Sequence, residues 1–270
     1  TLADQASGVG SYAITASAGT LLSDLGYQFA FQDGTLSVTA RPLEVTATSF
    51  ARYYGSANPA LTWTVGGAGL VNGDALSGAL ATTALQTSDV GTYAITQGTL
   101  AASSNYVLTY VDANLTVAPR PITIRARALS RAYGDANPAL AYTIGGRGLA
   151  NGDVLTGALA TTADTQSNVG TYAITQGNLA ATSNYALTYQ GADLTVTPRR
   201  ITVAAHALSR AYGDANPALT YLVGGASLVN GDTLTGGLAT AATTLSDVGT
   251  YAITQGTLSA TANYLLTYTP

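Results

Sequence analysis

Apolar and polar residues alternate along this chain with a period of two, in short runs. In "PITIRARAL", which begins at Pro121, Ile122 and Ile124 alternate with Thr123 and Arg125. "GTYAIT" sets Tyr93 and Ile95 on one face and Thr92, Ala94 and Thr96 on the other. "NYVLTY" aligns Tyr106, Leu108 and Tyr110, and "NLTVAP" aligns Leu115 with Val117. Such alternation turns one face of a strand to a core and the other to water. Thr, Val, Ile and Tyr suit a pleated, half-buried surface. Between the runs stand "YGDANP", "GG", "NGD" and "SDVG", whose residues favour turns. "NGDALSGALATTA" has room for one short helical turn, and no longer helix is written anywhere.

The pattern repeats. Tyr54, Tyr133 and Tyr212 are spaced by 79 residues, as are Tyr93, Tyr172 and Tyr251, and Asn105, Asn184 and Asn263. The copies align without a gap at 42–120, 121–199 and 200–270. Residues 1–41 read as the second half of a diverged preceding copy, because "GSYAIT" and "GTLSVTARP" match its later strands. The third copy reads "NYLLTYTP" where its siblings continue as "NYVLTYVDANLTVAP" and "NYALTYQGADLTVTP". It is therefore expected to lack its last strand, and the chain reads as a window on a longer array. Solenoid repeats are shorter and cannot fold alone. A unit of this length can be a small domain of its own. Each copy is expected to hold six or seven strands, which makes the class all-β.

One cue narrows the architecture. Asp89-Val90-Gly91-Thr92-Tyr93 reads D-x-G-x-Y, as do residues 247–251, while the middle copy has Asn168 in place of Asp. In immunoglobulin-like sandwiches a Tyr enters a strand after such a corner and its hydroxyl bonds back to upstream backbone. Two residues later, where antibody domains carry Cys, stand Ile95, Ile174 and Ile253. The expectation is a tandem array of small Ig-like β-sandwich domains without disulfides. A β-grasp-like, mostly-β domain is the alternative. At the junctions, "NLTVAPRPITIRA" and "DLTVTPRRITVAA" join last strand to first strand with no Gly/Ser linker, and Pro stiffens the joint. That predicts an elongated, semi-rigid rod, each copy adding roughly 25–40 Å.

Composition changes the picture in one respect. Charged residues make up only 9%, against about 25% in typical soluble domains. Thr, Ser, Asn and Gly take their place, which predicts a neutral, hydroxyl-rich surface. With a net charge of −4 there is no basic field to attract nucleic acid or anionic lipid. All ten basic residues are Arg, so no Lys–Asn cross-link can form, and Cys and Met are absent. The chain has no disulfide and no thiolate metal site, a composition suited to an oxidising exterior. No apolar run is long enough to span a membrane, and no secretory leader opens the sequence.

Candidate chemistry is sparse. The single His206 aligns with Arg127 and Thr48, a variation that fits a solvent-facing strand position better than a catalytic base. No nucleophile elbow, HExxH or Walker motif is present, so no catalytic residue is assigned and the chain is not read as an enzyme. Asp135, Asp153, Asp214 and Asp232, in the "YGDANP" and "NGD" loops, are candidate Ca²⁺ ligands. The competing reading is turn chemistry, and Ser56 in the first copy would cost the site a carboxylate. Most of the 17 Tyr recur at fixed strand positions and read as packing. Tyr53 aligns with Ala132 and Ala211 and is the candidate copy-specific exposed contact. A copy without its last strand leaves an unpaired ladder, open to a strand from another chain such as "GTLSVTA". An array cut at that point accounts for the same ending.

Taken together, "YGDANPALTY", "GLVNGD", "VGTYAITQGTL", "NY.LTY" and "LTV.P" resemble the MBG repeat of the YGX type, over essentially the whole chain. The departures are Ser56, Asn168 and the diverged first fragment. That resemblance implies a β-rich stalk or adhesive array of a secreted, filamentous-haemagglutinin-like bacterial adhesin, extracellular and at the cell surface. The resemblance does not settle the ligand; the expected partner is a host-cell or matrix protein or glycan, and the exposed strand edges separately offer self-association. The resemblance carries over no catalytic site, and Ca²⁺, the one cofactor considered, rests on the loop aspartates alone.

Overall fold

The computed structural model describes residues 1–270, all of it strand, turn or loop with no helix. The "NGD" stretch forms a turn and no helical turn. Two compact units are present, one of residues 1–120 with Ser183–Ala186, the other of Pro121–Thr182 with Leu187–Pro270.

In the first unit, residues 1–41 form a hairpin of β1 (Gly10–Ile14) and β2 (Gly34–Val38), paired antiparallel with Tyr12 opposite Leu36. Repeat 1 follows with seven strands: β3 (Arg41–Ala47), β4 (Phe50–Tyr53), β5 (Trp63–Gly67), β6 (Ala81–Thr82), β7 (Gly91–Thr96), β8 (Tyr106–Val111) and β9 (Ala113–Ala118). They make two sheets, ordered β5-β3-β8 and β4-β9-β7-β6. Leu43 and Val45 from β3, Tyr106 from β8, Ile95 from β7 and Leu115 from β9 meet in one buried cluster. Both sheets thus line the core, as the alternation predicts: in β9, Leu115 and Val117 are buried and their neighbours are not. The architecture is a two-sheet sandwich.

Strand direction could not be read from alternation. β3 pairs antiparallel with β5 but parallel with β8, and β9 pairs antiparallel with β7 but parallel with β4. The cause is local. β3 and β4 are nearly continuous, separated only by residues 48–49, yet they lie in different sheets. One extended run therefore supplies the central strand of one layer and an edge strand of the other, and each piece meets a later strand running the same way. The sandwich departs here from a purely antiparallel one.

In the second unit, repeat 2 holds β10 (Arg120–Ala126), β11 (Leu129–Ala132), β12 (Tyr142–Gly146), β13 (Ala160–Thr161), β14 (Gly170–Thr175), β15 (Tyr185–Gln190) and β16 (Ala192–Thr197), with the same two orders, β12-β10-β15 and β11-β16-β14-β13. Repeat 3 holds β17 (Arg199–Ala205), β18 (Tyr221–Gly225), β19 (Ala239–Thr240), β20 (Ile253–Thr254) and β21 (Tyr264–Thr269). Its first sheet, β18-β17-β21, is complete, and the second is reduced to the pair β19-β20.

Repeats 2 and 3 do not pack separately. Tyr133 and Val196 of repeat 2 share a buried cluster with Ile201 and Tyr264 of repeat 3, flanked by Tyr172 from one side and Val229 and Leu266 from the other. A unit of this size has little interior, and here it completes its core with its neighbour's side chains.

Candidate functional site

The recurring motifs fall at the joint between repeats. Tyr172 leaves the corner at Asn168 and its hydroxyl donates to the Asn168 carbonyl at 2.8 Å. Tyr93 does the same to Asp89 and Tyr251 to Asp247, and in the hairpin Tyr12 donates to Gly8. This is the tyrosine corner expected from D-x-G-x-Y. The corner also has a second role that its sequence did not announce. The Asn263 side chain of repeat 3 accepts the Val169 N–H at 2.9 Å and donates to Asn168 Oδ1 at 2.8 Å. In the first unit Asn184 repeats this against Val90 and Asp89, and Asn105 accepts the Val9 N–H. Either Asp or Asn serves at the corner because only an acceptor oxygen is needed.

"YGDANP" builds the other half of the joint. Tyr133 meets Tyr264 edge to face, ring centres 5.5 Å apart at 79°. Such pairs add about 0.5–1.5 kcal/mol beyond burial. Gly134 has φ +81° and lies against Val229, where a β-carbon would overlap that side chain. Glycine is needed here both for its backbone and for the close approach. Asp135 accepts from Arg199 at 2.7 Å, and the same guanidinium donates to the Tyr133 carbonyl.

The shape of this loop is held from within by residues the sequence reading passed over. Arg131 is buried and forms no salt bridge, although after the Ser167 hydrogen bond its charge also helps to lower the Asp164 pKa. Its Nε donates to Asn137 Oδ1 at 2.7 Å and its Nη atoms to the carbonyls of Ala132 and Asp164. Asn137 in turn donates to the Ala163 carbonyl at 2.6 Å. Arg52 with Asn58, and Arg210 with Asn216, make the same brace. Burial pulls the Arg52 pKa down from its ordinary value, partly offset by Tyr93. A buried cation is costly unless its donors are met, and no buried side-chain N or O lacks a partner. The signal was available: in a chain with ten Arg, three stand 79 residues apart, two positions before "YG".

The four aspartates considered for Ca²⁺ are not brought together. No group of three or more His, Cys, Asp or Glu side chains converges anywhere. Asp135 faces Arg199, and Asp232 accepts the Tyr264 hydroxyl at 2.7 Å. Asp153 and Asp214 sit in turns closed by their own N–H groups, bonded to the carbonyls of Ala150 and Ala211. The Tyr264 pKa is raised, mainly by burial and further by Asp232, while the Val229 N–H bond opposes the rise. Tyr53, on β4, is 38% exposed. His206 lies at the surface, its Nδ1 3.0 Å from Thr220 Oγ1.

Two recesses are of interest here. One of about 380 Å³ in repeat 3 is lined by Leu208, Arg210, Tyr212, Val248, Tyr251 and Ile253. The other, about 130 Å³ in the first unit, is lined by Val38, Arg41, Val71, Asn72 and Tyr106 among others. No helix is long and apolar enough to cross a membrane.

A family model described as the MBG domain (YGX type) matches residues 43–116, 122–195 and 201–270. No curated protein and no solved structure was found to match the chain.

Proposed function

We propose, for a chain that belongs to the family of MBG domains of the YGX type, that its repeats are the structural stalk of a secreted or surface-anchored bacterial adhesin. They act outside the cell, supporting adhesion or a biofilm matrix, with no catalytic step of their own. Repeats of this family suggest extracellular and surface proteins. The observation that carries the reading is the joint. The chain spends recurring Tyr, Asn, Asp and Arg side chains on connecting one repeat to the next. Joints closed by a shared apolar core and side-chain hydrogen bonds transmit tension from repeat to repeat. A surface poor in charge keeps nonspecific electrostatic attraction low.

The test is a thermal-unfolding series with EDTA, CaCl₂ and a panel of glycans. The expected outcome is an unchanged melting temperature throughout. A reproducible rise of several degrees with Ca²⁺ or one glycan would replace the stalk by a ligand-binding repeat, since a ligand of the folded state stabilises it by mass action. On intact cells, added protease should reach the repeats. Protection until lysis would remove the extracellular assignment.

A further inference from the structure

Each repeat leaves one strand edge open. In the sheets β5-β3-β8, β12-β10-β15 and β18-β17-β21 the first strand has a single neighbour. These edge strands read "WTVGG", "YTIGG" and "YLVGG", and they pair with that neighbour without a bulge. They carry no charge and no Pro, so the usual devices that keep an edge from pairing are missing. The register fixes which groups face outward. The Arg127 N–H donates to the Ala141 carbonyl and the Arg147 N–H to that of Pro121. Residues 141, 143, 145 and 147 therefore bond inward to β10, and the N–H and C=O groups of Tyr142, Ile144 and Gly146 point away from the sheet. Ile144 is 39% exposed and Val65, its counterpart in β5, is 40% exposed, although they stand opposite the buried Ile124 and Val45.

One recurring residue has no cause within the repeat. Gly66, Gly145 and Gly224 occupy the fourth place of each edge strand. None has a positive φ. A β-carbon at Gly66 or Gly145 would come no closer than 3.6 Å to any other group, and at Gly224 only the Thr202 hydroxyl is close. The next residue is different, since Gly146 is already required by its φ of +75°. Glycine weakens a strand interior, and it often marks the close approach of another backbone.

We propose that this edge pairs antiparallel with the same strand of a second copy of the chain, so that copies associate side by side. The strand's own sequence points to that occupant, because it is complementary to itself about its central residue. Ile144 lies opposite its own mate, and the outward N–H and C=O groups of each bond to the other. Tyr142 lies opposite Gly146, and Thr143 opposite Gly145. A ring thus meets a glycine, whose backbone an aromatic side chain can cover. In β5, Trp63 takes Gly67 and Thr64 takes Gly66; in β18, Tyr221 takes Gly225 and Leu222 takes Gly224. Large therefore meets small at both ends in all three copies. Pairing also covers the exposed flanks of Ile144 and Val65, and no charge stands in either strand to oppose it. A two-fold contact of this kind is the commonest way in which identical chains associate. The inference goes beyond the stalk reading and does not rest on it. A melting temperature raised by Ca²⁺ or a glycan would end that reading and leave the edge untouched.

The test uses the whole chain. Sedimentation velocity over a concentration series should show monomers passing into associated species. A charge at the centre of the pairing faces its own copy, and like charges directly opposite repel. The triple variant Val65→Lys, Ile144→Lys, Val223→Lys and its counterpart with Glu at the same positions should each stay monomeric with an unchanged far-UV spectrum. Their equimolar mixture should associate again. The chain has no cysteine, so a Thr143→Cys chain mixed with a Gly145→Cys chain should give a mixed disulfide dimer on oxidation. Their α-carbons would be about 4.5 Å apart in a non-hydrogen-bonded pair, within disulfide reach. This pair lies on the outer face and reports the register even if the charged chains fail to fold. Monomers of the parent chain at every concentration would overturn the proposal. So would association that survives in each charged variant, a mixture of folded charged chains that stays monomeric, or the absence of the mixed disulfide. A monomeric chain that binds the peptide LAYTIGGRG would overturn the second copy as occupant.

Discussion

Residues 128–140 and 207–219 are identical, "ALSRAYGDANPAL", yet they have different structures in repeats 2 and 3. In the first, Leu129–Ala132 is strand β11, Arg131 is buried and Tyr133 is locked against Tyr264. In the second, the same four residues form no strand and the tyrosine stands in solvent. The difference is β16, which pairs with Leu129–Ala132 in repeat 2, while residues 1–270 end before the position that corresponds to it in repeat 3. A strand is a statement about partners, and β16 supplies partners on both sides. The brace from arginine to asparagine survives in both, because its atoms are local. The other sheet, β18-β17-β21, is also unaffected. Each layer thus takes its order from its own strands.

That contrast can be broken by making the same change twice. Tyr133→Ala should cost about 3–5 kcal/mol, as for other large buried rings, while Tyr212→Ala should stay within about 0.5 kcal/mol. Urea denaturation of both variants measures the gap, and equal losses would show that the exposed tyrosine is buried in solution. Gly134→Ala and Gly213→Ala come next. Both positions have positive φ, a strain of about 1–2 kcal/mol for a residue with a β-carbon. Only Gly134 also faces Val229, so its variant should lose more, and the difference reports the joint alone.

Smaller effects sharpen the picture. Burial raises the pKa of Tyr189, and of Tyr264 with help from Asp232, above the ordinary 10.0. These phenols must stay neutral in the fold. Their contribution is therefore complete below pH 10.0 and lost as pH climbs through the raised folded values. Thermal melts should decline in that alkaline window, and Tyr264→Phe should flatten the decline. The smallest effect is expected for Asp135→Ser, which copies the first repeat. The Asp135 carboxylate is half exposed, so its ion pair with Arg199 is worth about 0.2–1 kcal/mol and fades with salt. A salt-independent loss would mean that Asp135 acts through its turn instead.

The sequence exposed what is periodic and local. Alternation located most of the strands, and D-x-G-x-Y located a corner whose tyrosine bonds as expected. "YGDANP" was legible as a turn. It was not legible as half of a joint, because Tyr264 and Val229 lie more than 90 residues away in sequence and nothing in their own runs marks the contact. Parallel pairing was hidden for the same reason, since alternation fixes which face a residue takes and not which way its neighbour runs. The aspartates drew attention as metal ligands because they recur in oxygen-rich loops. In the structure Asp135 faces Arg199, Asp232 accepts the Tyr264 hydroxyl, and Asp153 and Asp214 sit in turns.

The placing of Tyr133 against Tyr264 makes each repeat's free energy depend on whether its neighbour is folded. Such a chain obeys nearest-neighbour statistics, in which interior units are held on two sides and terminal ones on one. Melting should then begin at the ends and travel inward. The midpoint should climb with repeat number and level off once end effects become a small share. Deleting a middle repeat and rejoining the chain would preserve every type of interface, whereas deleting half a repeat would create two unmatched faces.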